Sequence, residues 1–148
     1  TLKSGDTLNM DGITLNVLWP DKPNLTQSFN ANSLVIMLNY KNFRCLITGD
    51  FNSIAEKKLL EKGLTLKAGI LKLGHHGFFD ATSRAFLEAV SPEVAVISVD
   101  AQNLRGAPSQ STLSLLKEKG IKIYRTDRDG NIIVSVDKNG KFSVITER

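Results

Sequence analysis

The stretch Phe43-Arg44-Cys45-Leu46-Ile47-Thr48-Gly49-Asp50 decides the fold. Its apolar run is short and ends abruptly at Gly49-Asp50, as a buried strand does. Helical spacing begins at once: Ser53 to Lys62 carries an apolar stripe of Ile54, Leu59 and Leu60. Ser53 is the expected N-cap with Glu56 three residues on, and Gly63 is the expected stop. A strand that runs directly into a helix is the repeating unit of a sheet covered by helices.

Working outward, Ser33 to Tyr40 reads as a strand joined to Phe43–Thr48 by the short turn Lys41-Asn42. Further upstream, Thr7 to Met10 and Ile13 to Leu18 alternate apolar and polar residues around Asp11-Gly12, a strong hairpin signal. Trp19-Pro20 closes that strand, and Asp21 to Asn32 is a polar loop. Downstream, Gly69 to Leu73 is a short strand ending in Gly74-His75-His76-Gly77. A helix is expected near Ser83 to Val90, stopped by Ser91-Pro92. Val94 to Val99 is a continuous apolar run, the mark of a strand covered on both faces. A loop (Asp100 to Pro108), a helix (Gln110 to Lys119) and a strand (Ile121 to Tyr124) follow. Asn131 to Val136 and Lys141 to Ile145 close as a hairpin. The class is α/β (α+β), with a mixed sheet, hairpins and flanking helices.

A length of 148 residues with 41% hydrophobic content fits one domain with a real core, so a disordered tail is excluded. A single cysteine excludes a disulfide scaffold, and Cys45 reads as a buried strand thiol. No apolar run approaches the roughly 18 residues of a membrane span, so no transmembrane segment is expected in this chain. Nineteen Lys and Arg against fifteen Asp and Glu give +4. The basic residues are scattered, with only Lys57-Lys58 adjacent, which favours a solvated surface over a dedicated nucleic-acid patch. The chain opens on Thr1 without a charged-then-apolar leader, so a processed or excised segment is expected.

Three segments share one context, the C-terminal end of an expected strand, where α/β sheets commonly bind ligands. They are Thr48-Gly49-Asp50, Gly74-His75-His76-Gly77 and Asp100 to Pro108. His75 and His76 are the only histidines in the chain. Imidazole and carboxylate together are a ligand set for zinc or manganese. Taken alone, an aspartate after a strand is more often an N-cap, and a histidine pair in a loop is more often scaffold. The residues supply two or three ligands where three or four are needed.

The segments Asn32-Ser33-Leu34-Val35-Ile36, Leu46 to Asp50, Leu71 to Gly77, Pro92 to Ser98, and Tyr124-Arg125-Thr126-Asp127 with Gly130 occur in order. Together they resemble the metallo-β-lactamase-like domain at the C-terminus of ComEC-type competence (DNA-uptake) proteins, across nearly the whole chain. The resemblance implies an αββα sandwich of two similar halves and metal-assisted hydrolysis, often of phosphodiesters, with metal-bound hydroxide as the nucleophile. It implies zinc or manganese, a nucleic-acid substrate, a membrane-channel domain in the same parent chain, and a place outside the cytoplasmic membrane of a bacterium. Asp50 matches a carboxylate able to bridge two metals. His75 and His76 match the motif with a late ligand histidine. His76 as ligand, with His75 orienting or touching substrate, is the first reading, and the reverse stays open.

The departures shape the expectation. The family's histidine- and aspartate-rich ligand motif belongs to a first half that these residues do not contain. Residues 1–148 therefore read as a single partial domain, the C-terminal half, inactive or nearly so by itself. Gly106-Ala107-Pro108 stands where the family usually has Gly-His-Pro, and Phe78 replaces a polar residue. Alanine has no side-chain donor or acceptor. These two positions support the alternative reading, a degenerate, non-catalytic module with a binding or structural role. Phe78, Asn103 and Arg105 are the candidate substrate-contacting residues; packing and a solvated loop are their plain readings. Arg125 to Arg128 form a polar corner where an arginine could hold phosphate. Asp127 and Asp129 lack the other ligands of a calcium loop.

Overall fold

The computed structural model describes residues 1–22, 28–103 and 105–148. Pro23 to Gln27, in the loop expected over Asp21 to Asn32, and Leu104, in the loop expected over Asp100 to Pro108, lie outside the described residues. The strands are β1 (Thr7–Met10), β2 (Ile13–Trp19), β3 (Val35–Tyr40), β4 (Phe43–Ile47), β5 (Ile70–Lys72), β6 (Val94–Ile97), β7 (Lys122–Arg125), β8 (Ile132–Val136) and β9 (Phe142–Thr146). The helices are α1 (Ser53–Glu61), α2 (Arg84–Val90), α3 (Gln110–Glu118) and the single turn α4 (Thr126–Asp129).

Seven strands form one sheet in the order β1-β2-β3-β4-β5-β6-β7, and β8-β9 form a separate hairpin. β1 to β4 pair antiparallel, and β4 to β7 pair parallel. The expected mixed sheet with flanking helices is therefore present. A parallel connection is almost always right-handed. With strand order running one way, right-handed connections set α1, α2 and α3 on the same face. That face carries the main core, in which Trp19, Met37, Leu46, Leu71, Leu73 and Ile97 meet Leu59, Phe86, Leu87 and Leu116. The opposite face is covered in part by the hairpin, whose Val134, Val136, Phe142 and Val144 pack on Phe43, Ile70 and Val94. By alternation the same face continues across β1 to β4, where Leu8, Met10 and Ile47 are exposed.

Local detail departs from expectation in α1. Asn52, not Ser53, caps the helix by accepting from the Ala55 amide. Ile54 points to solvent, whereas Ala55 and Leu59, one turn apart, are buried. Glu56 is also buried, because its carboxylate accepts the Thr82 and Ser83 amides at 2.5 and 2.8 Å ahead of α2. Burial raises the Glu56 pKa, and those hydrogen bonds oppose the rise. Among the described residues, no helix is long and apolar enough to cross a membrane.

Candidate functional site

Parallel neighbours in register end at the same edge. The C-terminal ends of β4, β5 and β6 therefore deliver Asp50, the His75-His76 turn and Ser98 side by side. Backbone approach there is close. A Cβ at Gly74 would lie 2.5 Å from the Phe51 carbonyl oxygen, and one at Gly77 would lie 2.8 Å from Pro108 Cβ. Gly77 also has φ +78°, so no other residue type fits without strain. The Thr48 hydroxyl donates to the Lys72 carbonyl at 2.8 Å, and the His75 amide donates to the Gly49 carbonyl at 3.1 Å. These bonds lock the first two strand ends together.

His75 and His76 both adopt left-handed backbone, with φ 45° and 55°. Such a conformation costs about 1–3 kcal/mol per non-glycine residue and persists only where surrounding structure enforces it. The strain aims the two rings differently. His75 Nδ1 lies 2.8 Å from Asp80 Oδ1, and the Asn30 amide nitrogen lies 3.2 Å from Nε2. The amide can only donate, so Nε2 accepts and Nδ1–H donates to Asp80. Both ring nitrogens are engaged, and the ring stacks on Phe78 at 4.8 Å.

His76 is set the other way. Its Nδ1 lies 2.7 Å from the Ser98 carbonyl oxygen, which can only accept, so the proton sits on Nδ1. In the neutral ring that leaves the Nε2 lone pair toward Asp50 Oδ1 at 3.4 Å. This is longer than an ordinary N–H···O hydrogen bond, which spans roughly 2.7–3.2 Å. Two ligands held about 2.0–2.1 Å from a tetrahedral zinc stand roughly 3.3 Å apart. Donation of the far imidazole N–H to a carbonyl is also the usual support for a metal-binding histidine. Asp50 and His76 therefore fit two corners of a coordination sphere. Among the described residues, no group of three or more His, Cys, Asp or Glu side chains could hold a metal.

Asp50, His75, His76, Phe78, Asn103 and Arg105 line one cavity of about 520 Å³, together with Ala107. The Asn103 amide is committed to its own loop. Its nitrogen donates to the Ala107 carbonyl at 2.5 Å, and its oxygen accepts the Arg105 amide at 3.0 Å. Arg105 is exposed. Ala107 offers no side-chain ligand to the cavity. Arg125, at the polar corner, spends its charge on Asp127 through bonds of 2.9 and 2.6 Å, and Asp129 accepts the Arg125 amide.

Sequence reasoning missed four supports: Asn30, Asp80, Ser98 and Lys72. Lys72 lies beside Ile47 and Val96 in the sheet, on the hairpin side. Burial pulls its ammonium below the ordinary lysine range, and the charge of Asp50 opposes that fall. A lysine inside the run Ile70-Leu71-Lys72-Leu73 was the available signal.

No family model matches the chain. It is 33% identical over 144 residues to ComE operon protein 3 of Bacillus subtilis, a match covering 97% of this chain and 18% of that protein. It is also 33% identical over 132 residues to Competence protein ComA of Neisseria gonorrhoeae, covering 88% and 19%. Over nearly its whole length the chain is therefore similar to a segment of these competence proteins. Recombination protein 2 of Haemophilus influenzae matches at 28% over 132 residues, covering 89% and 16%. The chain spans about a fifth of the length of the curated relatives it matches.

Proposed function

We propose that this chain is the C-terminal half of a metallo-β-lactamase-like hydrolase domain that cleaves phosphodiesters of nucleic acid during DNA uptake. The observation that carries the reading is the Asp50–His76 pair, with its 3.4 Å separation and the His76 Nδ1 proton spent on Ser98. Similarity to competence proteins supports the uptake role, and the place proposed for it, on the outer side of the cytoplasmic membrane, rests on the family resemblance alone. The exposed apolar face of β1 to β4 supports a second sheet packing there, bringing the remaining ligands and joined in turn to a membrane-channel domain.

In this reading Asp50 and His76 hold zinc or manganese. When bound, the metal supplies Lewis-acid polarisation of the phosphodiester and activation of water. The Ser98 carbonyl fixes the His76 tautomer. His75, held between Asp80 and Asn30, is a positioning residue that keeps the turn in its strained shape. Arg105 on the facing loop attracts the phosphate charge, and Asn103 shapes that loop. Phe78 backs the His75 ring and keeps water from it.

A second reading rests on Ala107, which lines the cavity without a ligating group. It takes the chain as a non-catalytic module that keeps the fold to bind. One experiment separates the two: metal analysis with nuclease and phosphodiesterase assays on the longer protein, beside its Asp50→Ala and His76→Ala variants. The hydrolase reading expects metal and hydrolysis together, both lost in each variant. Hydrolysis unaffected by both changes would remove the site, and absence of metal and hydrolysis in the unaltered protein would favour the module.

A further inference from the structure

The opposite edge of the same sheet carries a second concavity, of about 830 Å³. It lies at the starts of the parallel strands and is closed on one side by Gly140 to Val144 of the hairpin. Arg44, Lys67, Lys122 and Lys141 line it, against the single carboxylate of Glu93. None of these four cations has an ion-pair partner within 4.0 Å among the described residues, whereas Lys62, Arg84, Lys119 and Arg125 each have one. Arg44 is held in place by neutral acceptors: its Nε donates to Asn39 at 3.2 Å and its Nη2 to the Thr65 carbonyl at 2.9 Å. A guanidinium has five donors, so its charge and the remaining donors are free to act. Lys122 is drawn over the Tyr124 ring at 4.8 Å, which keeps its ammonium near the wall.

We propose that this groove is a second nucleic-acid contact, binding the phosphodiester backbone of a strand at the sheet edge opposite Asp50 and His76. Four cations gathered in one concavity attract a polyanion, and the release of its counterions drives binding. The shape is concave, and none of the exposed large apolar residues lines it. A groove without apolar wedges suits a polymer backbone rather than a bilayer, which takes up exposed apolar side chains. The choice of nucleic acid rests in part on the uptake reading, but the groove shares no residue with the candidate metal pair. The length of β4 separates the two, roughly 13 Å at about 3.3 Å per residue.

The test is fluorescence anisotropy of a labelled single-stranded DNA oligonucleotide with the longer protein, kept from hydrolysing it by a chelator, between about 50 and 200 mM salt. Lys67, Lys122 and Lys141 are exposed, so Lys67→Gln, Lys122→Gln and Lys141→Gln together leave the core intact, which circular dichroism verifies. This triple variant is expected to weaken binding about tenfold or more and to flatten the dependence of log affinity on log salt by about two. The control triple Lys57→Gln, Lys58→Gln and Lys117→Gln, on the helices and outside both sites, is expected to stay within about twofold of the unaltered protein. Equal losses in both triples, or no binding by the unaltered protein, would overturn the proposal. So would groove-dependent binding of phosphatidylserine–phosphatidylcholine vesicles in place of the oligonucleotide. Binding is read without turnover, so failure of the hydrolase reading leaves this result separately legible.

Discussion

The two ends of the parallel strands carry opposite chemistry on one scaffold. At the C-terminal edge the backbone is strained and crowded: two histidines sit in left-handed conformation, and Gly74 and Gly77 leave no room for a Cβ. At the starting edge four cations line the groove, and a Cβ added at Gly69, whose φ is ordinary, would lie 3.1 Å from the rim of the Phe142 ring. Under the proposed reading, two ligands would have to face one ion, which needs fixed side-chain geometry, and strain is the cost of fixing it. A backbone-binding groove needs charge and width rather than angular accuracy.

The largest effect that would break this contrast concerns metal. Asp50→Ala and His76→Ala in the longer protein are expected to weaken metal retention by more than about 100-fold, above the 10–100-fold typical of residues that only orient ligands. Asp80→Asn, which touches His75 alone among the pair, is expected to fall within that lower range. Metal content by mass spectrometry after dialysis checks both. Equal losses for all three would erase the distinction between His75 and His76.

Stability sharpens the comparison next. Gly74→Ala drives a Cβ into a backbone carbonyl and is expected to cost about 1–3 kcal/mol. That corresponds to roughly 2–4 °C in Tm per kcal/mol for a chain near this size. Gly69→Ala meets only an aromatic edge that can shift, and is expected to cost less than about 1 kcal/mol. Thermal unfolding of the two variants side by side gives the ranking, and the reverse order would contradict the account of the crowded edge.

The smallest effect lies between the edges. Cys45 sits in β4 beneath the hairpin, and burial pushes its thiol from 9.0 up to about 11. Below about pH 9 the thiol is neutral in both folded and unfolded chains. As pH rises from there through about 11 the unfolded chain ionises first, so folding stability falls across that window. A thiol-reactive dye at neutral pH is expected to label Cys45 slowly in the native chain and rapidly after denaturation. Fast native labelling would mean that the hairpin does not cover this strand.

Much of this architecture was readable from local signals. Asp11-Gly12 and Lys41-Asn42 set the two hairpins, and the strand–helix alternation after Phe43 set the parallel half, with element ends displaced by a residue or two. Glu56 was misread because its partners, the amides of Thr82 and Ser83, are distant in sequence, whereas a capping box is a local pattern. The strand-end rule pointed to Asp50 and the histidine pair. It was blind to Asn30, Asp80 and Ser98, because the left-handed turns at His75 and His76 decide which way each ring points. The basic groove was invisible for another reason. Arg44, Lys67, Lys122 and Lys141 are far apart in the chain, and scatter along a sequence says nothing about four parallel strands starting at one edge.

The most direct measurement of the central claim is ¹⁵N NMR of the His75 and His76 imidazoles during titration of the longer protein with zinc. The account predicts that His76 Nε2 shifts, that both His75 nitrogens hold their positions, and that the His76 response disappears in Asp50→Asn. A response centred on His75, or one at His76 that survives Asp50→Asn, would contradict it.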